Sequence, residues 1–303
     1  MTEGFHKPIF IIGLHRTGST LLKNILNNSR EVSMAIDEMH LISPWKKDVF
    51  NYYYDSGDIN DDKNVSNFLD VLFSGKTEGS FWIKIKDIGF DENKIRSRIM
   101  NSNRSMKQII AIILEEYAKS ERKKRYGVKY PLHFSKLSVL LEWWPQCKII
   151  HLTRDPRAIC ASKLNDKATR FRKKRAKVFS PIVHFFTLIF FCFEYYWSSR
   201  IHRKFHKHRN YVKVRYEDIV IDPEGTMKKI SEFCDIDYNP LMLDVMGKES
   251  SYNIYAKKGI DVNRITNWKN HLSLLDNLLV SHILRNSMEQ LGYHQIDIDN
   301  GIY

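Results

Sequence analysis

The strongest constraint on this chain lies near its start. An apolar run, Ile9-Phe10-Ile11-Ile12, meets Gly13-Leu14-His15-Arg16-Thr17-Gly18-Ser19-Thr20, and a helix-like segment, Leu21 to Leu26, follows. The spacing is that of a buried strand, a glycine loop and a helix, the phosphate-binding arrangement G-x-x-x-x-G-K-[ST]. The lysine position holds Ser19, and the cation sits three residues earlier at Arg16. Loop amides and a helix N-terminus cradle a phosphate without any particular side chain. What is missing is the lysine that reaches the β and γ phosphates of a nucleoside triphosphate. The loop is therefore suited to a different phospho-donor.

A unit of this kind needs a sheet around it, and the rest of the chain supplies one. Apolar, β-branched runs predict strands at Pro8–Gly13, Val32–Ile36, Gly127–Lys129, Lys148–Thr153 and Tyr211–Arg215. Helices are expected from Ser19, Ser105, Ser135, Arg157 and Pro223, with a last one over Ser273–Leu291. Strands separated by helices imply an α/β, P-loop-containing nucleotide-binding fold, its central sheet mostly parallel and covered on both faces. Ligands gather at the carboxyl ends of such strands, where the loop after Gly13 falls. No internal repeat or long linker divides the chain, so residues 1–303 read as one domain. A polar, Asp- and Asn-rich stretch, Asn51–Asn67, marks an insertion or cap within about residues 45–80.

The formal net charge of +13 favours an anionic ligand, an acidic substrate or a membrane surface, without choosing among them. Cys147, Cys160, Cys192 and Cys234 are widely separated and have no metal-ligand spacing. They read as reduced, buried thiols of a cytoplasmic protein, and no cleavable signal is apparent between Met1 and the first strand. One segment complicates that reading. Phe179–Trp197, FSPIVHFFTLIFFCFEYYW, approaches membrane-spanning length, but it contains Pro181, His184 and Glu194 and has basic runs on both sides. It reads first as a buried helix walling an aromatic pocket. The alternatives are peripheral attachment to a bilayer, since the run from Arg170 to Lys177 suits anionic headgroups, and a true membrane span.

A second anion site follows the fourth strand. In Arg154-Asp155-Pro156-Arg157, Asp155 suits a helix N-cap and Pro156 the first helical turn. Arg154 then stands at the strand's carboxyl end, with Ser162 two helical turns further on. That pair could hold a phosphate, or Arg154 could instead be paired with Asp155 or Glu217.

RTGSTLL after an apolar strand, and a later LTRDPRAICASKL, resemble the two cofactor motifs of the sulfotransferases. Three further pieces agree: Val128-Lys129-Tyr130-Pro131; Tyr216-Glu217-Asp218 followed by Asp222-Pro223; and Asn267-Trp268-Lys269 with a closing Leu291-Gly292-Tyr293. The resemblance spans nearly the whole chain in the family's order. It implies that the donor is 3'-phosphoadenosine-5'-phosphosulfate (PAPS), with 3'-phosphoadenosine-5'-phosphate (PAP) as product and no metal. It implies further that Arg16, Thr17, Gly18, Ser19 and Thr20 surround the 5'-phosphosulfate, while Arg154 and Ser162 bind the 3'-phosphate. Arg264 and Lys269 belong to a flap over the nucleotide, and Tyr216 either lines that site or packs in the core.

Sulfuryl transfer resembles phosphoryl transfer, so positioning and charge stabilisation carry the catalysis. Arg16 is placed to neutralise the leaving oxygen, with Lys129 assisting. Glu38 resembles the catalytic glutamate of tyrosylprotein sulfotransferases and is the expected base, with His133 second. Desolvation of such a carboxylate raises its pKa and improves it as a base. The acceptor is a hydroxyl of a lipid or other amphiphilic alcohol, a small alcohol, a glycan or a tyrosine. The alternative activity is a P-loop kinase or nucleoside triphosphatase, for which Asp155 is the only candidate magnesium ligand. A non-catalytic anion-binding role is a third possibility. No aromatic recognition motif points to nucleic acid.

Overall fold

The computed structural model describes residues 7–35, 39, 49–75, 77, 80–85, 89, 91–176, 180–245 and 259–293. Five parallel strands form its sheet: β1 (Ile9–Gly13), β2 (Val32–Met34), β3 (Arg125–Lys129), β4 (Lys148–Thr153) and β5 (Tyr211–Arg215). Their spatial order is β2-β3-β1-β4-β5, which sets β1 at the centre. Every residue of β1 is buried, as a continuous apolar run in a sheet covered on both faces should be. In register, Ile11 lies opposite Lys129 on one side and Ile150 on the other. The loop after Gly13 therefore emerges at the carboxyl edge, between the ends of β3 and β4.

Helix α1 (Ser19–Asn27) follows the loop. Between β2 and β3 come α2 (Val49–Asp55), α3 (Asp62–Phe73), α4 (Ser80–Ile83), α5 (Glu92–Met100) and α6 (Met106–Ser120). A 3-10 turn over Pro131–Lys136 leads into α7 (Leu137–Trp143), so this helix begins later than Ser135: a proline-led turn must close before the α-helical pattern starts. Helices α8 (Pro156–Leu164), α9 (Lys167–Ala176) and α10 (Ser180–Phe205) separate β4 from β5. They are followed by α11 (Tyr216–Ile221), α12 (Pro223–Cys234) and α13 (Leu274–Leu291). Two apolar layers sandwich the sheet. Leu22, Ile25 and Leu26 of α1 pack with Met227 and Ile230 of α12 on one side. On the other, Ile109 and Ile113 of α6 join Ile159 of α8, Phe191 of α10 and Leu284 of α13.

The polar stretch Asn51–Asn67 falls on α2 and α3. Helix α3 forms because Val65, Phe68, Leu69 and Leu72 recur at helical spacing and are buried, while the polar residues take the outer face. One expectation needs correction. The Phe179–Trp197 segment is helical from Ser180 but only half a core element. Leu188, Phe191, Cys192 and Tyr195 are buried, whereas Phe185, Phe186 and Phe193 on the other face are exposed. Among the described residues no helix is long and apolar enough to cross a membrane. All four cysteines are buried thiols.

Candidate active site

The loop after β1 is shaped by close approaches. At Gly13, φ is +142°, and a Cβ would sit 2.3 Å from the carbonyl oxygen of Leu152 on β4. Gly18, with φ +91°, occupies the N-cap position of α1, and a Cβ there would meet Cδ2 of Tyr216 at 2.3 Å. Arg16 is left-handed without being glycine, φ +75°, a conformation that costs energy and clusters at binding sites. Thr17 turns inward, its Oγ1 donating to the Leu14 carbonyl at 2.9 Å. No side chain caps α1, whose first residue, Ser19, is buried while Thr20 is partly exposed. The helix N-terminus thus presents its amides and dipole at the carboxyl edge of the sheet, where an anion is stabilised.

Arg154, just past the end of β4, reaches directly into this loop. Its Nη1 donates to the carbonyl of Arg16 at 3.1 Å, and its Nη2 to the carbonyl of Arg264 at 2.7 Å. The guanidinium carbon lies 4.3 Å from the centre of the Tyr216 ring. A further donor, Nε, is buried and has no hydrogen-bond partner among the described residues. Arg154 therefore joins the phosphate loop to the C-terminal segment, with its Nε N–H left unpaired. Tyr195 of α10 holds its backbone, donating from the hydroxyl to the Arg154 carbonyl at 3.3 Å.

The competing partners of Arg154 are occupied elsewhere. Asp155 caps α8 by accepting from the Arg157 backbone N–H at 2.8 Å. Its Oδ1 and Oδ2 also take Nε and Nη2 of Arg157, at 3.1 and 3.0 Å. With both oxygens engaged by a buried cation, Asp155 is badly disposed as a magnesium ligand. Arg157 lies in turn 4.4 Å from the Trp268 ring centre. Glu217 accepts the Asp155 backbone N–H at 3.0 Å and the Tyr293 hydroxyl at 2.9 Å. Burial pushes its carboxyl above the usual range. These residues form a rigid floor rather than ligands, and they tie α8, α11 and the end of α13 beneath the loop.

The other predicted residues are distributed around that floor. Ser162 is partly exposed on α8. Lys129 ends β3, buried beside the β1 edge, and His133 is fully enclosed, edge-on to Tyr130 at 4.5 Å between ring centres. Tyr216 is buried against both Gly18 and Arg154, so it lines the site and packs in the core at once. The Arg264 side chain points partly to solvent, with Nε 3.9 Å from Asp261 Oδ2. Lys269 is exposed on a 3-10 turn over Asn267–Asn270, next to the buried Trp268. Glu38 lies outside the described residues, although Met39 beside it is buried.

Sequence reasoning missed Asp166. Its Oδ2 is 3.5 Å from Arg16 Nη2. Burial pushes the carboxyl up, but the Thr169 backbone N–H and hydroxyl, together with Arg16, outweigh this and hold it below the usual carboxylate range. Asp166 also marks the polar end of a cavity of about 400 Å³. Lys163 and Thr169 share that end, and Ile182, Phe186 and Phe190 of α10 form its apolar wall. The cavity thus begins one ion pair away from the phosphate loop. The LNDK tail of α8 was the available signal, but which way its acid points depends on the packing of α8.

The comparisons agree with this architecture. A family model described as the sulfotransferase family matches residues 8–240. Omega-hydroxy-beta-dihydromenaquinone-9 sulfotransferases of Mycobacterium bovis and Mycobacterium tuberculosis are each 21% identical over 258 residues, or 74% of this chain. The matched part of the chain spans only 61% of those relatives' length. Among solved structures, a sulfotransferase domain from the curacin biosynthetic pathway has a TM-score of 0.58 at 16% identity, covering 95% of this chain and 98% of that one. The sulfotransferase domain of a Synechococcus olefin synthase scores 0.54 at 19% identity, over 92% and 94%. At such identities the solved structures establish the fold.

Proposed function

Because the chain belongs to the sulfotransferase family, we propose that it moves a sulfuryl group from PAPS to an acceptor hydroxyl. A bond forms between the acceptor oxygen and sulfur, the bond from sulfur to the 5'-phosphate oxygen breaks, and the hydroxyl proton passes to a base on the protein. The observation that carries this reading is Arg154. It holds the carbonyls of Arg16 and Arg264 in one cluster while its buried Nε keeps an unused donor. A carrier with phosphate at both ends fits such a site, and a nucleoside triphosphate with magnesium does not, since Ser19 replaces the lysine and Asp155 is committed to Arg157.

In this reading the loop amides, Arg16, Thr17, Gly18, Ser19 and Thr20 hold the 5' end, and Arg154 and Ser162 hold the 3'-phosphate. Tyr216 lies under the nucleotide, with Arg264 and Lys269 at its rim. Arg16 offsets charge on the leaving oxygen, and Lys129, buried at the β3 edge, supports it. Glu38 is the proposed base and His133 the reserve. The 400 Å³ cavity takes the acceptor, its apolar wall favouring an amphiphilic alcohol over a hydrophilic glycan. The two mycobacterial relatives carry the name of a lipid-modifying sulfotransferase, which agrees with that preference.

Titration calorimetry tests the donor. PAP should bind, and ATP with magnesium should not; a preference for ATP would end the proposal. Glu38→Gln should abolish turnover and leave PAP affinity within about twofold. Retained turnover would transfer the role of base to His133.

A further inference from the structure

Helix α10 has two apolar faces; one is buried in the core and the other is largely exposed. Ile182, Phe185, Phe186, Phe190, Phe193 and Tyr196 follow one another at helical spacing, and each is between 47% and 64% exposed. A monomer in water gains nothing from four turns of half-exposed hydrocarbon. The apolar surface continues onto the start of α13. There His184 and Asp276 join the two helices at 2.8 Å, and Leu274, Leu275 and Leu278 are all more than half exposed.

Cations surround this surface. Exposed Arg170, Lys174 and Arg175 lie on α9, which packs against α10, and exposed Arg200, Arg203 and Lys204 continue the α10 stripe beyond Tyr196. From Lys167 to Phe205 the single acidic residue is Glu194, which is buried against Lys163. An apolar stripe with cations at both ends and no exposed acid matches an anionic lipid surface: hydrocarbon for the acyl boundary, positive charge for the headgroups. A protein partner or a second copy would be expected to answer the apolar stripe but not the consistent sign of the charge.

We propose that the exposed face of α9 and α10 docks on an anionic lipid surface, so that the cavity mouth at Phe186 and Phe190 opens towards that surface. An amphiphilic alcohol would then enter without crossing water, its hydroxyl leading towards Asp166 and Arg16. The delivery step rests on the sulfuryl-transfer reading; the docking step does not.

The test is co-sedimentation of the chain with vesicles of phosphatidylglycerol and phosphatidylcholine, against vesicles of phosphatidylcholine alone. Binding should require phosphatidylglycerol and weaken with salt. The double variant Phe185→Glu, Phe193→Glu lies away from the cavity wall and should lose at least about tenfold in partitioning. Lys174→Glu with Arg175→Glu leaves the stripe intact and should lose about fivefold or more per cation removed. Both variants should retain PAP affinity and turnover of a short water-soluble alcohol. Absence of vesicle binding would overturn the proposal. So would a dimer in size-exclusion chromatography that the Phe185→Glu, Phe193→Glu variant converts to a monomer, since the stripe would then join two copies. Vesicle binding without PAP binding would leave docking intact and remove the sulfuryl-transfer reading instead.

Discussion

Arg157 and Phe186 sit on helices that touch, yet the fold treats them in opposite ways. The guanidinium is 1% exposed and the hydrocarbon ring 64% exposed. Ordinary partitioning would reverse them. Arg157 can be buried because Asp155 meets it with both oxygens and Trp268 covers its face. Phe186 has no such compensation within the chain, and on the proposed reading a lipid surface covers it. The contrast teaches that the cleft has a fixed side and an open side. Charge beneath the phosphate loop is neutralised within the protein, and the apolar surface of α10 is left open, which on the proposed reading receives the acceptor and the lipid surface.

That contrast can be broken from the fixed side first. Asp155→Ala leaves Arg157 buried without its counter-charge, which should cost about 3–5 kcal/mol. Urea denaturation would show this as a lower midpoint with little change in slope, and a loss under about 1 kcal/mol would mean that the buried pair is not what rigidifies the floor. Arg16→Ala should reduce kcat/KM by about a hundredfold to a thousandfold, near 3–4 kcal/mol, with little effect on unfolding. An equal fall in stability would make Arg16 part of the floor and erase the distinction between ligand-facing and structural cations.

The smallest effect per step concerns pH. His151 on β4 is fully buried, accepting or donating at the Tyr211 hydroxyl and at Ser198 Oγ, 2.9 Å away. Burial, then His202 and Lys213, push its pKa from 6.5 down to about 3. The folded chain holds this imidazole neutral while the unfolded chain protonates it below about 6.5. Its contribution is therefore complete above that value and is lost as pH falls towards 3, at about 1.4 kcal/mol per pH unit. Denaturation between pH 7 and pH 4 should show the slope, and His151→Gln should reduce it to the part left by His202, whose pKa burial pushes down to about 4.

How much of this was legible in the sequence followed the range of the forces involved. The central strands were legible because fully buried parallel strands are mostly apolar: Ile9–Ile12 is so without interruption, and Ile149–Leu152 departs from it only at His151. The helix starts at Ser105, Asp155, Asp222 and Ser273 were legible because capping is local: each of these side chains accepts a backbone N–H from its own first turn. The phosphate loop was legible because glycine spacing records backbone geometry. The two-sided character of α10 was not, since phenylalanine fills both faces and periodicity carries no information there. Nor were the contacts of Arg16 with Asp166, Tyr195 with Arg154, or Arg157 with Trp268, each of which depends on how distant helices pack. Glu38 remains a proposal from resemblance.

The ring of Tyr216 fills the space that a methyl group on Gly18 would need, and the same ring supports Arg154. These three positions are therefore not free to drift separately. A side chain at 18 would displace the tyrosine, and a displaced tyrosine would loosen the arginine. A substitution at any one of the three is therefore felt at the other two, and the loop, the ring and the cation behave as one mechanical unit.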